Sequence, residues 1–263
     1  MNPVAGLAWR VDPRLKVYAK VGRGFETPTF TELAYRRGAS GLNTAVAASR
    51  SRHAEAELKW RPAPAQQLDL AVFDIATDDE IFVDRNLGGR STYRNAGGTT
   101  RRGVELAYAG KLLHELQLRA SLTLLRARFA DGFSSDSGAT AAVVAAGNRL
   151  PGTPGQSAYA ELLWRPWQAW SGVESALELA HTGRIVVNDR NDDAAPAATI
   201  WNLRVGQTQR VGDWTLGQLL RIDNVLDRRY VGSVIVNEAN GRYFEPAPPR
   251  DWLVALTARR VIR

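Results

Sequence analysis

The sequence predicts an all-β protein, the antiparallel wall of a transmembrane β-barrel with about eleven strands. Three observations point there. The dominant apolar–polar period is two. Short turns and long links alternate along the whole chain. The tryptophans gather near strand ends.

The period is plain in three stretches. In "AEAELKW", Ala54, Ala56, Leu58 and Trp60 alternate with Glu55, Glu57 and Lys59. In "LQLRASLTLL", Leu116, Leu118, Ala120, Leu122 and Leu124 alternate with Gln117, Arg119, Ser121 and Thr123. In "WNLRVGQTQR", Trp201, Leu203 and Val205 alternate with Asn202, Arg204 and Gly206. Such alternation gives a strand one apolar and one polar face.

Taken in order, the first segment covers residues 3–11 and ends at Asp12-Pro13-Arg14. The second, 15–24, rises from that turn. The third, 51–62, closes at Pro62-Ala63-Pro64, and 66–83 follows. Segment 93–109 meets Gly110-Lys111, and 115–130 leaves it. Segment 155–166 ends at Pro166-Trp167, and 173–188 comes next. Segment 198–211 turns at Gly212-Asp213 into 214–226, and 249–262 is last. Proline and glycine mark these short turns. Between them lie long links at 25–50, 84–92, 131–154, 189–197 and 227–248. Short turns at one end and long links at the other are the pattern of an outer-membrane barrel. "ATAAVVAAG", residues 139–147, reads as loop, and no stretch reads as a helix.

Trp9, Trp60, Trp164, Trp167, Trp170 and Trp214 sit beside short turns, and Trp201 and Trp252 sit at the opposite ends. Two interfacial girdles explain that placement. A polar strand face rich in Glu, Lys, Arg and Asn needs a wet or plugged lumen.

Composition removes other classes. With 44% hydrophobic residues the chain is not disordered. It has no cysteine, so zinc–thiolate sites and disulfide scaffolds are excluded. The net charge is +7. Arginines spread over nearly every strand fit anionic lipid phosphates better than nucleic acid. No run of 18 apolar residues offers a membrane helix, and the N-terminus carries no secretion signal.

Four motifs carry a family resemblance. "NPVAGLAWRVDPRLKVYAKVGRGFETPTFTEL" (2–33) resembles a strand pair of TonB-dependent outer-membrane receptors that enters an extracellular loop through Gly-Phe-x-x-Pro-x-x-x-Glu-Leu. "YRNAGGTTRRGVELAYAG" (93–110) is similar to their Asn-x-Gly…Gly-Val-Glu strand. "NVLDRRYVGS" (224–233) and "GRYFEPAPPRDWLVAL" (241–256) resemble their last two strands and the loop between. The resemblance implies a siderophore or iron-complex receptor in the outer membrane of a Gram-negative bacterium. It implies that residues 1–263 are the C-terminal half of a 22-stranded barrel. The plug and the TonB-contacting segment are expected to lie outside this chain, and "ARRVIR" departs from the aromatic ending usual in the family.

The resemblance also places the substrate at extracellular loops. Phe25, Phe30, Tyr35, Arg36, Arg37, Tyr230, Tyr243 and Phe244 are the loop candidates. Arginines would meet an anionic chelate and aromatic rings would stack on its flat groups. Arg126 and Arg128 continue the outward face above Leu124 and are expected to meet lipopolysaccharide phosphates. No cofactor, resident metal or nucleic acid is expected. Asp78, Asp79, Glu80 and Asp84 could ligate Ca²⁺, but they read as a solvated strand-to-loop transition. His53, His114 and His181 are isolated and read as polar-face or loop residues. No catalytic motif is present. The alternatives are an outer-membrane barrel enzyme of protease or phospholipase type, which needs a partner for His181, and a non-functional receptor fragment.

Overall fold

The structure is a computed structural model, which describes residues 2–36, 38–135, 142–166, 170 and 172–260. Its elements are β1 (Val4–Asp12), β2 (Leu15–Glu26), α1 (Phe30–Leu33), β3 (Ser49–Trp60), β4 (Gln66–Asp78), β5 (Ile81–Leu87), β6 (Arg90–Asn95), β7 (Gly98–Lys111), β8 (Leu116–Phe129), β9 (Phe133–Ser135), β10 (Ala142–Val144), β11 (Gln156–Trp164), β12 (Val173–Thr182), β13 (Ile185–Val186), β14 (Ala194–Ala195), β15 (Ala198–Val211), β16 (Trp214–Asp223), β17 (Val231–Val234), β18 (Phe244–Pro246) and β19 (Asp251–Arg260).

Eleven strands form one antiparallel sheet, in the order β1-β2-β3-β4-β7-β8-β11-β12-β15-β16-β19. Every neighbour in the sheet is the next long strand in the chain. The sheet is open, with β1 and β19 at its edges.

The register fixes two faces. Trp9, Val17, Leu58, Leu70, Leu106, Leu122 and Ala158 form one cross-strand row. Leu118, Leu162, Leu177, Leu203, Ile222 and Trp252 form another on the same face. Trp60, Trp164, Trp201 and Trp214 share that outward parity, at strand ends as the girdle reading requires. Trp167 lies outside the described residues.

The inner face carries the charge. Lys20 Nζ is 2.8 Å from Glu55. Arg204 reaches Glu161 at 3.3 Å and Glu174 at 3.0 Å, and Arg221 reaches Glu178 at 2.9 Å. Glu161 and Glu178 are buried and face each other across β11 and β12. Two adjacent buried carboxylates are tolerable only with cations beside them.

Several predicted boundaries shift at the long-link end. Segment 66–83 stops at Asp78, because Asp79 turns left-handed at φ 54°. Segment 93–109 begins as a sheet strand only at Gly98, and 173–188 ends its sheet strand at Thr182. The removed residues belong to small hairpins, β5–β6 and β13–β14, inside the links. The 84–92 link, read as plain loop, is mostly this β5–β6 hairpin. Within 139–147, also read as loop, Ala142–Val144 pair with β9, and 139–141 lie outside the described residues. The missed helix, α1, is one turn with a capping box between Thr29 and Glu32. Its signal was Thr-x-x-Glu after Pro28.

The main apolar cluster lies where the links meet the top of the sheet. Inner-face Ala127 and Phe129, at the top of β8, cluster with Ala96, Val144 and Leu150. Phe82, Leu125 and Phe133 pack on this cluster. The links thus fold over the inner side of the sheet as a cap.

Candidate functional site

The β5–β6 hairpin is the hub of the cap. Its turn is Gly88-Gly89, both left-handed at φ 58° and 77°. Asn43 Nδ2, from the first link, donates to Tyr93 O at 2.9 Å. Asn95 exchanges hydrogen bonds with the backbone of Ala47 at 2.8 and 2.9 Å. Arg94 donates to Ser134 O of β9 at 3.2 Å and pairs with Asp189 of the fourth link at 3.4 Å. Asn86 Nδ2 donates to Val236 O of the last link at 2.7 Å. One hairpin therefore touches all four other long links.

The hub also builds a cavity of about 500 Å³ with the first link. Tyr35, Arg36, Arg85 and Arg90 line it, with no carboxylate in its lining. The Arg90 guanidinium lies 5.4 Å from the centre of the Tyr35 ring. Arg85 Nε is buried without a hydrogen-bond partner. Among the described residues none of these three guanidiniums pairs with an acid, which makes the cavity an electropositive cradle. Arg85 and Arg90 escaped sequence reading, although Gly-Gly between alternating residues is a hairpin signal.

The other loop candidates are dispersed. Phe25 pairs with Arg50 on the outward face, away from the cradle side of the sheet. Phe30 projects from α1 and is 75% exposed. Arg37 lies outside the described residues. Tyr230 lines a second cavity, of about 430 Å³, between β17 and the inner-face residues Ala180, Ile200 and Asn202. Tyr243 and Phe244 meet edge to face at 6.2 Å.

"NVLD" is a turn device. Asn224 and Asp227 both take φ 51°. Asn224 brackets the Arg228 backbone with two 2.9 Å bonds, and Asp227 accepts from Arg250 N at 2.9 Å. These side chains satisfy backbone where the chain leaves the sheet.

Arg126 and Arg128 face outward directly above Leu124 in β8. Arg102 pairs across from Arg126, and Arg23 and Arg52 lie in the Arg128 row. Arg102 is partly neutralised by Asp74 at 2.6 Å, and Arg128 donates to Gly147 O at 2.5 Å.

The acidic run does not converge. Asp78 faces outward toward Arg52 at 3.6 Å. Glu80 binds Thr99 and Arg101, and Asp84, only 8% exposed, pairs with Arg94 at 2.9 Å. The run is therefore split among arginines, and Asp84 is not solvated as expected. Among the described residues no cluster could hold a metal ion. His181 also departs from expectation. It pairs with Ala158 on the outward, apolar face and contacts Thr199 at 2.8 Å and Gln156 at 3.3 Å. That position is turned away from the lumen.

An eleven-stranded sheet with one tryptophan-edged apolar face and one charged face defines the wall of a transmembrane β-barrel. The chain belongs to the TonB-dependent receptors: the family model "TonB dependent receptor-like, beta-barrel" matches residues 1–225. The chain is similar in fold to the siderophore receptor PiuA from Acinetobacter baumannii, with a TM-score of 0.75 and 16% identity over 97% of this chain and 35% of that one. It is similar to the ferric-catecholate import receptor Fiu from K12 E. coli, with 0.70 and 20% over 97% and 34%. It is also similar to the copper transporter OprC, with 0.72 and 14% over 98% and 39%. The chain thus spans little more than a third of these receptors.

Proposed function

We propose that this chain forms the C-terminal wall, residues 1–263, of an outer-membrane receptor that imports a scarce metal as an anionic chelate, a ferric siderophore foremost. The observation that carries this reading is the cradle of Arg36, Arg85 and Arg90 beside Tyr35. Such a group of cations recognises carboxylate, catecholate or hydroxamate oxygens, and the Tyr35 ring offers a stacking face. A bare copper ion fits less well. The chain has no cysteine, one methionine and three histidines, which leaves few soft donors. The reading assigns no catalytic role, since His181 faces lipid. Coupling to TonB runs through a plug supplied outside this chain. The outward arginines, Arg126 and Arg128 with Arg23, Arg52 and Arg102, meet lipopolysaccharide phosphates.

The test is complementation of a receptor-deleted strain starved of iron. A full receptor gene carrying this segment restores uptake of a radio-iron catecholate. The triple substitution Arg36→Gln, Arg85→Gln, Arg90→Gln lowers that uptake at least about tenfold, since each charge-assisted hydrogen bond contributes about 1.5–3 kcal/mol. Undiminished uptake removes the cradle from the substrate path. The 263-residue chain alone, with a signal peptide added, gives no uptake. Its edges β1 and β19 would leave unpaired backbone groups in the bilayer. Uptake by the short chain would sink the half-barrel reading.

A further inference from the structure

We propose that the buried knot of Asp189, Asn237 and Arg94 is a proton-responsive latch that holds the long links together as one cap over the inner face of the sheet. The knot is closed from several sides. Asp189 is fully buried, at 0% exposure, and Asn237 is 1% exposed. Asn237 Nδ2 donates to Asp189 Oδ1 at 3.1 Å and to Val83 O of β5 at 2.7 Å. Asn237 Oδ1 accepts from Asp189 N at 3.2 Å. Asn148, from the link after β8, donates to Asp189 O at 2.9 Å. Arg94 lies over the rings of Phe82 and Phe133, at 4.7 and 4.3 Å, and shares its charge between Asp84 and Asp189. Asn237 also holds a left-handed φ of 53°, so its backbone is committed to this geometry. Releasing Asp189 would free its link from Arg94 of the hub hairpin and remove one of the holds on Asn237 of the last link, which Asn86 also ties to the hairpin.

The charges around Asp189 are few. Asp84 and Arg94 face it from β5 and β6. On its own link, Arg190 and Asp192 pair with each other at 2.9 Å. Asp193 caps its own neighbour, accepting from Ala194 N at 2.7 Å. On the last link, Glu238 binds the Asn240 and Arg242 amides, which hold its carboxyl below the ordinary range. On the link after β8, Arg149 lies beside Gly155. Burial is the main influence on Asp189 and pushes its carboxyl up to about 6, against the pull of Asn237 and Arg94.

The sign follows from linkage. The closed latch holds a proton more tightly than the released, hydrated link does. Closure is therefore strongest in acid, and its advantage falls as pH rises from about 4 through about 6. A carboxyl at 3.8 when released and about 6 when latched makes the open population grow about 50-fold between pH 4 and 7.

Amide hydrogen exchange on a full receptor carrying this segment, in detergent micelles, tests this, read on peptides covering 185–193 and 234–240 and corrected for intrinsic exchange. Opening of both peptides should rise together by about that factor over the range. Asp189→Asn, isosteric and uncharged, should keep opening low and flat with pH. Asp84→Asn removes a charge that raises Asp189, so the wild-type rise should shrink and finish at lower pH. This second variant decides the matter if the first does not fold. A flat wild-type profile, or an Asp84→Asn profile that coincides with the wild type's, overturns the latch.

Discussion

The strand wall and the loop cap are held by opposite means. The wall repeats one interaction: each long strand pairs with the next through a ladder of 8–13 residue pairs, with a register shift in β1 between Arg10 and Asp12. Its outward face needs no protein partner, because lipid provides the apolar surroundings. The cap has little ladder. It relies on one apolar cluster around Phe129 and on asparagine side chains that reach between links, such as Asn43, Asn86, Asn95 and Asn237. A repeated interaction tolerates the loss of any one member. A keystone does not.

The largest difference should appear on truncating apolar side chains. Phe129 is 1% exposed and meets Phe82 and Phe133 at ring distances of 5.7 and 4.9 Å. Phe129→Ala should cost the cap about 3–5 kcal/mol, because no lipid can refill the cavity. Leu122→Ala on the outward face should cost about half as much, since acyl chains close the gap. Denaturant titration in micelles measures both. Equal losses would show that the outward face is packed like protein rather than lipid.

Within the wall, burial sets the next contrast. Glu178 is 6% exposed, with Arg221 at 2.9 Å and Arg204 only at 4.0 Å. Arg221→Ala strands a buried carboxylate and should cost about 3 kcal/mol. Lys20, half exposed beside Glu55, should cost about 1 kcal/mol or less on the same change. If Lys20 proves the more costly, the two inner-face clusters have been ranked wrongly.

Facing gives a difference in accessibility rather than in stability. Spin labels at Leu118 and Leu122 should collide with a lipid-soluble quencher several-fold more than labels at Arg119 and Thr123, which alternate with them. Uniform water access at all four positions would remove the membrane assignment. The smallest effect belongs to the outer arginines. Replacing Arg126 and Arg128 with Glu should weaken assembly by about 1 kcal/mol or less, and only in membranes that contain lipopolysaccharide. The same loss in plain phospholipid would detach these arginines from the phosphate reading.

The sequence by itself determined the wall. Period-two alternation and proline or glycine turns gave the eleven sheet strands, their order and their faces, because a side chain's face in a strand follows from its position alone. Arg119 opposite Glu161 and Leu118 opposite Leu162 follow from such local counting once neighbouring strands pair. "NVLD" was legible as a strand-to-loop turn for the same reason, since Asn224 and Asp227 bind backbone within a short reach or on the adjoining strand. The candidate site was legible only in part. Tyr35 and Arg36 were visible as loop residues, but Arg85 and Arg90, which complete the cradle, come from a link some fifty residues away. The Asp189 knot left no sequence signal at all. Its partners, Arg94 and Asn237, lie 95 and 48 residues from it. Only tertiary structure decides such contacts, because links have no period to propagate, and their side chains meet wherever the side-by-side pairing of the strands brings the strand ends together.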